Sequence, residues 1–322
     1  MRALPQVPAF RLGVFTSVEA AAAGWTRSAL AAAVHRGALV RVRRGCWAPA
    51  LDPSAPGSRA VRTAQLAVAA SLAAPDTAVS HLAAATVWGL PTWAPTARAC
   101  VTEWGRRRAD LDGVHRHRAK GSGIARHGGV LVTDPARTVF DIAREHGAEA
   151  ALVVADAALR TGLVDGTSLF SAGLSCRGWP GARTARLVGS LADPLAESPL
   201  ESRSRWRMRH ADLPEPRQQV SIHALTGEFL GRVDFYWEEG VVGEADGDLK
   251  YDSPEALRRE KWRQEGLERC ELGVVRWGTR DLVPFDPTAE RLRRALARAR
   301  ARPGPRLWVA RYAHPLHHPP AW

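Results

Sequence analysis

The charge on this chain changes sign along its length, and that constrains its architecture more than any single motif. Residues 1–120 carry 16 Lys or Arg against 6 Asp or Glu, a net of +10. Residues 193–290 carry 14 against 21, a net of −7. At Asp193-Pro194 the strand content rises together with the change of sign. Two separable domains joined near Ala192–Ser198 are expected, and 322 residues are enough for two or three.

Composition narrows the classes. Hydrophobic residues make up 45% and charged residues 24%, the balance of a folded globular chain. No apolar run approaches the length that crosses a bilayer, so no membrane partner is expected. Met1–Phe10 holds two prolines and no apolar signal core, which points to a cytoplasmic protein. Cys46, Cys100, Cys176 and Cys270 lie far apart and form no CxxC pair, as scattered thiols in a reducing compartment do. The basic first section suits a polyanion such as DNA, and the acidic later section suits a cation. Lysine is rare: Lys120, Lys250 and Lys261 are the only three, and two of them fall in the acidic section. Lysine is a compact, titratable point charge, unlike the arginine used elsewhere.

The fold class expected is a multidomain α+β or α/β chain. Residues 1–55 read as a winged helix-turn-helix. Thr16-Ser17-Val18-Glu19 resembles a capping box opening a short alanine-rich helix that Gly24 ends. Thr26 caps a second helix, Arg27–Arg36, stopped by Gly37. The segment from Leu39 to Trp47 alternates apolar and basic residues around a glycine, as a hairpin with one basic face does. In that arrangement Thr26, Arg27 and Ser28 begin a recognition helix that ends at Arg36, while Arg41, Arg43 and Arg44 meet phosphates.

Residues 56–192 read as a mostly helical middle region with two short strands, near Ala99–Thr102 and Gly129–Val132. Helices are expected over Arg59–Ala73, Ala78–Trp88, Pro135–His146, Ala148–Leu159 and Arg183–Leu191. Arg106-Arg107-Arg108 and His115–Lys120 are basic stretches, either a DNA-facing surface or solvated loops. His81 reads as a satisfied histidine on a helix face. Residues 303–322, with His314, His317 and His318 among prolines, read as a flexible tail.

Residues 193–302 have the order helix, three strands, helix, strand: Glu197–His210, Arg217–Ala224, Phe229–Trp237, Val241–Asp246, Pro254–Cys270 and Gly273–Trp277. Asp234 lies on the second strand, and Glu244 and Asp246 lie two apart on the third. Side chains two apart on a strand share a face, and a hairpin sets Asp234 beside them. Three gathered carboxylates repel one another unless protons or a cation intervene. A hard divalent ion with oxygen ligands, Mg²⁺ or Mn²⁺, resolves the conflict and can activate water against a phosphodiester.

Glu201-Ser202, Gly231-Arg232-Val233-Asp234, Glu244-Ala245-Asp246-Gly247, Lys250-Tyr251, Glu260-Lys261, Val274-Val275-Arg276-Trp277 and Asp281-Leu282 together resemble the Vsr-like endonuclease domains of actinobacterial proteins, over about residues 195–285. Those domains belong to the PD-(D/E)XK superfamily, so the resemblance implies a restriction-endonuclease-like αβββαβ core. Phe15–Trp47 and Ser80–Pro91 resemble AbiEi-type antitoxins of type IV toxin–antitoxin systems, which carry an N-terminal winged helix. The superfamily pattern places lysine where Asp246 stands. Lys250 and Lys261 are the candidates to supply it, with Gln264 on the same helical face as Lys261. Glu201 is either a further metal ligand or base, or a surface partner of Arg205.

Two functions follow. One is a DNA-binding, metal-dependent endonuclease acting in repair or phage and plasmid defence. Its ligands are Asp234, Glu244 and Asp246, and Glu201, Lys250, Lys261 and Gln264 assist. The other is a non-enzymatic antitoxin or transcriptional regulator that keeps the nuclease fold as a scaffold. DNA is a partner in both, together with a cognate toxin or a repair or defence protein.

Overall fold

A computed structural model of the chain describes residues 3–93, 98–104, 113–118, 123–246, 265–267 and 269–302, and the backbone of 307–311. The chain divides into two compact units, Met1–Ala192 and Asp193–Trp322. Each is a mixture of helices and sheet.

The first unit begins with a small sheet and two helices. Strand β1 (Phe15–Thr16) leads into α1 (Ser17–Ala22) and α2 (Arg27–His35), followed by β2 (Leu39–Arg43) and β3 (Cys46–Pro49), with sheet order β1-β3-β2. Thr16 accepts from the Glu19 backbone N–H while the Glu19 carboxylate accepts from the Thr16 N–H, a complete capping box. Arg11 grips the same carboxylate at 2.5 and 2.6 Å, which, ahead of the cost of burial, draws its pKa down to about 2. Thr26 caps α2 by accepting from Ala29 N–H at 3.1 Å. Gly24 and Gly37 end the two helices with φ of 78° and 71°, a conformation that would strain any residue with a Cβ. Phe15, Ala20, Leu30, Ala33 and Leu39 form the local core.

Val14, Cys46 and Ala48 also join a second core built on α3 (Ser58–Ala73), so packing is continuous across residue 55. Beyond α3 lies a five-stranded sheet where sequence reasoning expects mostly helix. Its strands are β4 (Thr77–Val79), β5 (Ala99–Glu103), β6 (Val114–Arg118), β7 (Ile124–His127) and β8 (Val130–Thr133), in the order β6-β5-β4-β8-β7. Two physical reasons hide it. Strand β4 is a three-residue buried run within an alanine-rich stretch, so it reads as the start of the helix that follows, α4 (His81–Val87). Strand β6 reads Val-His-Arg-His-Arg, and Arg116 is buried only because it pairs with the buried carboxylate of Glu103. Helix α5 (Pro135–Arg160) is broken at Gly147, whose φ of 85° and ψ of 176° leave the helical region. Helices α6 (Gly166–Ser175) and α7 (Ala182–Leu191) pack on α5.

The second unit opens with α8 (Pro199–His210), capped by Ser198. Strands β9 (Arg217–Ala224), β10 (Phe229–Trp237) and β11 (Val241–Ala245) form an antiparallel meander, and β12 (Gly273–Trp277) adds in parallel to β11. One face of the sheet buries Phe235, Trp237, Val275 and Trp277 against α8 and α9 (Asp286–Arg300). The other buries Val220, Ile222, Val233 and Val242 with Leu267 and Leu272. Residues Leu307–Arg311 form β13 on the free edge of β9, a difference from the tail expected there. Their run Leu-Trp-Val is apolar and strand-prone, which the surrounding prolines mask. Among the described residues no helix is long and apolar enough to cross a membrane.

Candidate nucleic-acid interface and carboxylate site

The N-terminal candidates lie at the two ends of α2 and on the β2–β3 hairpin. Thr26, Arg27, Ser28, Arg36, Arg41 and Arg44 are exposed, whereas Arg43 is only half-exposed. Pairing of β2 with β3 shifts register between Arg41 and Arg43, and such a bulge bends the strand there. The α2 N-terminus offers unpaired backbone N–H groups and the positive end of the helix dipole, with Arg27 beside them. Arg106–Arg108 and Lys120 lie outside the described residues. His115 and His117 sit within the sheet, on β6.

The acidic candidates converge on Asp234. Pairing of Phe235 with Gly243 sets Asp234 opposite Glu244, so both side chains share one face of the sheet. Glu244 is buried, and Asp246 stands just past the end of β11. Helix α8 contributes Glu201, which is buried rather than paired on the surface with Arg205. Its carboxylate accepts from Ser198 Oγ at 2.7 Å and from Glu197 N–H at 2.9 Å. Gln219 joins the two acids: its Nε2 donates to Glu201 Oε2 at 2.8 Å and to Asp234 Oδ1 at 3.4 Å. Asp234 Oδ2 accepts from Ala245 N–H at 2.9 Å. Burial, with the charges of Glu201, Glu244 and Asp246, raises the Asp234 carboxyl to about 7 against the pull of that amide.

Two residues of this site carry no role in the sequence reading. Arg276 on β12 donates from Nε to Glu244 Oε2 at 2.9 Å and lies 3.8 Å from Asp246 Oδ2, an internal cation between two of the acids. Its signal was an arginine inside the apolar run Val274-Val275-Arg276-Trp277. Gln219 is buried in a strand with a positive φ of 50°, a strained conformation held beside the acids. Its signal was a polar residue at an inward position of β9. Lys250, Lys261 and Gln264 lie outside the described residues, as does most of the helix expected over Pro254–Cys270.

Comparison with known proteins bears on the first unit directly. Residues 2–50 match the family model described as transcriptional regulator, AbiEi antitoxin. Over 283 residues the chain is 33% identical to the uncharacterised protein Rv2248 of Mycobacterium tuberculosis strain H37Rv, covering 85% of this chain and 98% of that one. The uncharacterised protein MT2308 of strain CDC 1551 matches to the same extent. The chain belongs to the family of these mycobacterial proteins, and its residues 2–50 are similar to the AbiEi antitoxin regulator domain.

Proposed function

We propose that this protein is a DNA-binding regulator of the AbiEi antitoxin kind, docking duplex DNA through an N-terminal winged helix-turn-helix. The observation that carries the reading is a coincidence of place. The segment matching the AbiEi regulator model is the one in which the exposed start of α2 stands with exposed Arg27, Arg36, Arg41 and Arg44. Helix α2 enters the major groove, with Thr26, Arg27 and Ser28 at its leading end. The β2–β3 hairpin is the wing, and Arg41 and Arg44 reach phosphates. A cognate toxin is the protein partner that the antitoxin kinship implies.

Fluorescence anisotropy with labelled duplex DNA across a salt series tests this. Each lost phosphate contact should flatten the log-log salt slope by about 0.9. The Arg27→Ala, Arg41→Ala, Arg44→Ala triple variant should therefore bind more weakly with a slope flatter by up to about 3. Equal affinity and slope in the triple variant would overturn the docking mode.

A second reading, a metal-dependent endonuclease, is supported by the Asp234 carboxyl near 7. A carboxyl raised that far, first by burial and then by three neighbouring acids, fits a place where a cation is needed. The elements α8, β9, β10, β11 and β12 follow the order of a restriction-endonuclease-like core. Asp234 and Glu244, with Asp246, would hold Mg²⁺ or Mn²⁺, which when bound supplies a Lewis acid and an activated water. Gln219 holds the Asp234 and Glu201 carboxylates in place, and Lys250, Lys261 and Gln264 stand as candidates to meet the phosphate. Arg276 already neutralises part of the site, which is why regulation ranks first. Nicking of supercoiled plasmid with either ion, lost in Asp234→Ala and Glu244→Ala, would raise the enzyme to first place.

A further inference from the structure

The first unit contains a cluster that neither reading uses. His81, Cys100, His117 and Glu145 each offer one ligand atom, and these atoms all lie within 4.8 Å of one another. Four separate elements deliver them. Cys100 comes from β5 and His117 from β6, whose parallel register pairs Cys100 with His115 and Thr102 with His117. Residues two apart share a face, so Cys100, Thr102, His115 and His117 all point the same way. Glu145 comes from α5, just before its break at Gly147. His81 opens α4 with a φ of 56°, a left-handed conformation that costs free energy in a residue with a Cβ.

The side chains already point at one another. His81 Nε2 and His117 Nε2 both lie 3.1 Å from the same oxygen, Glu145 Oε2. The His117 Nε2 is buried, yet it makes no well-directed hydrogen bond. The two imidazoles stack with centroids 4.0 Å apart. On its far side His81 Nδ1 lies 2.9 Å from Ser80 Oγ, the outer contact that fixes which ring nitrogen faces inward. Cys100 is fully buried and His81 nearly so, whereas Glu145 stands at the solvent edge. A cavity of roughly 480 Å³, lined by His81, His117 and Glu145 among others, gives access from solvent.

We propose that His81, Cys100, His117 and Glu145 form a zinc site in the first unit. Two imidazoles, one thiolate and one carboxylate suit a tetrahedral, borderline-soft ion and not Mg²⁺ or Ca²⁺. Bonds of about 2.0–2.3 Å to a tetrahedral ion space its ligands about 3.3–3.8 Å apart, so contraction by about 1 Å completes the shell. On binding, the Cys100 thiol releases its proton to solvent and the S–Zn bond replaces the S–H bond. With four protein ligands the site is closed, which makes the ion a structural clamp across α4, β5, β6 and α5 rather than a catalyst.

The test uses the full chain, stripped by a chelator and titrated with Co²⁺ as a spectroscopic stand-in for zinc. The expected result is one equivalent bound with a thiolate-to-cobalt charge-transfer band and visible bands of tetrahedral cobalt, all bleached by added Zn²⁺. Sites made of oxygen ligands give no thiolate band, so the carboxylates of the second unit do not confuse the reading. Cys100→Ser should lose the charge-transfer band, and Glu145→Gln should keep it with Co²⁺ affinity at least tenfold weaker. Zinc should also raise the melting temperature of the wild-type chain and not that of Cys100→Ser. Should Cys100→Ser fail to fold, Glu145→Gln at the solvent edge carries the test. A wild-type chain without the thiolate band, a band that survives in folded Cys100→Ser, or an unchanged affinity in Glu145→Gln would overturn the site. DNA binding is not the readout, so the result stands apart from the regulator reading.

Discussion

Replacing Asp234 by Asn should stabilise the second unit at pH 8 and leave it almost unchanged at pH 4. The Asp234 carboxyl is raised from 3.8 to about 7, chiefly by burial and then by Glu201, Glu244 and Asp246. Between those two values the folded chain holds a proton that the unfolded chain has released. The contribution of that proton to stability is complete below about pH 4 and is lost as pH rises through about 7. At 1.36 kcal/mol per pKa unit the loss reaches about 4 kcal/mol, a large share of the 5–15 kcal/mol typical of a folded domain. Asparagine resembles the protonated acid, can accept from Ala245 N–H as Asp234 does, and never ionises. Urea denaturation of the full chain at pH 4, 6 and 8, followed by far-ultraviolet circular dichroism, measures the effect. Subtracting wild type from variant removes the other titrating groups. A difference independent of pH, or an Asn variant less stable than wild type at pH 8, would show that Asp234 does not carry a buried proton up to about pH 7.

Two further substitutions probe the frame of each candidate site. Thr26→Ala removes the oxygen that caps α2 and should cost about 1 kcal/mol in thermal or chemical denaturation, with weaker DNA binding because the docking helix frays at its leading end. Arg276→Ala takes the guanidinium 2.9 Å from Glu244, whose side chain is 3% exposed, and should destabilise the second unit by about 2 kcal/mol, while Arg276→Lys restores part of the loss.

Local chemistry was legible where it announces itself within a few residues. Thr16 with Glu19, Thr26 before an apolar helix face, and the alternation of Phe229–Trp237 all state their structure in short range. The opposition of Asp234 and Glu244 was readable for the same reason, because strand period and hairpin register follow from spacing alone. The central sheet of the first unit was not. Its strands are short and alanine-bearing, and the burial of Arg116 depends on Glu103, a partner on another strand. The cluster around His81 was hidden more deeply. Its four residues span positions 81 to 145 with no spacing motif, and only the parallel pairing of β5 with β6 brings Cys100 near His117. In sequence His81 reads as a satisfied helical histidine, whereas it begins α4 with a left-handed backbone and its ring lies against Glu145 and His117. Arg43 shows the reverse error: a strand arginine read as solvent-facing is half-buried.

Amide hydrogen exchange of the full chain with and without duplex DNA tests most directly whether DNA meets the N-terminal segment. At low salt, peptides covering Thr26–Arg36 and Leu39–Cys46 should exchange more slowly when DNA is bound, and raising the salt should remove the protection. Protection confined to residues after Asp193, or no protection under conditions where the duplex is bound, would contradict that contact.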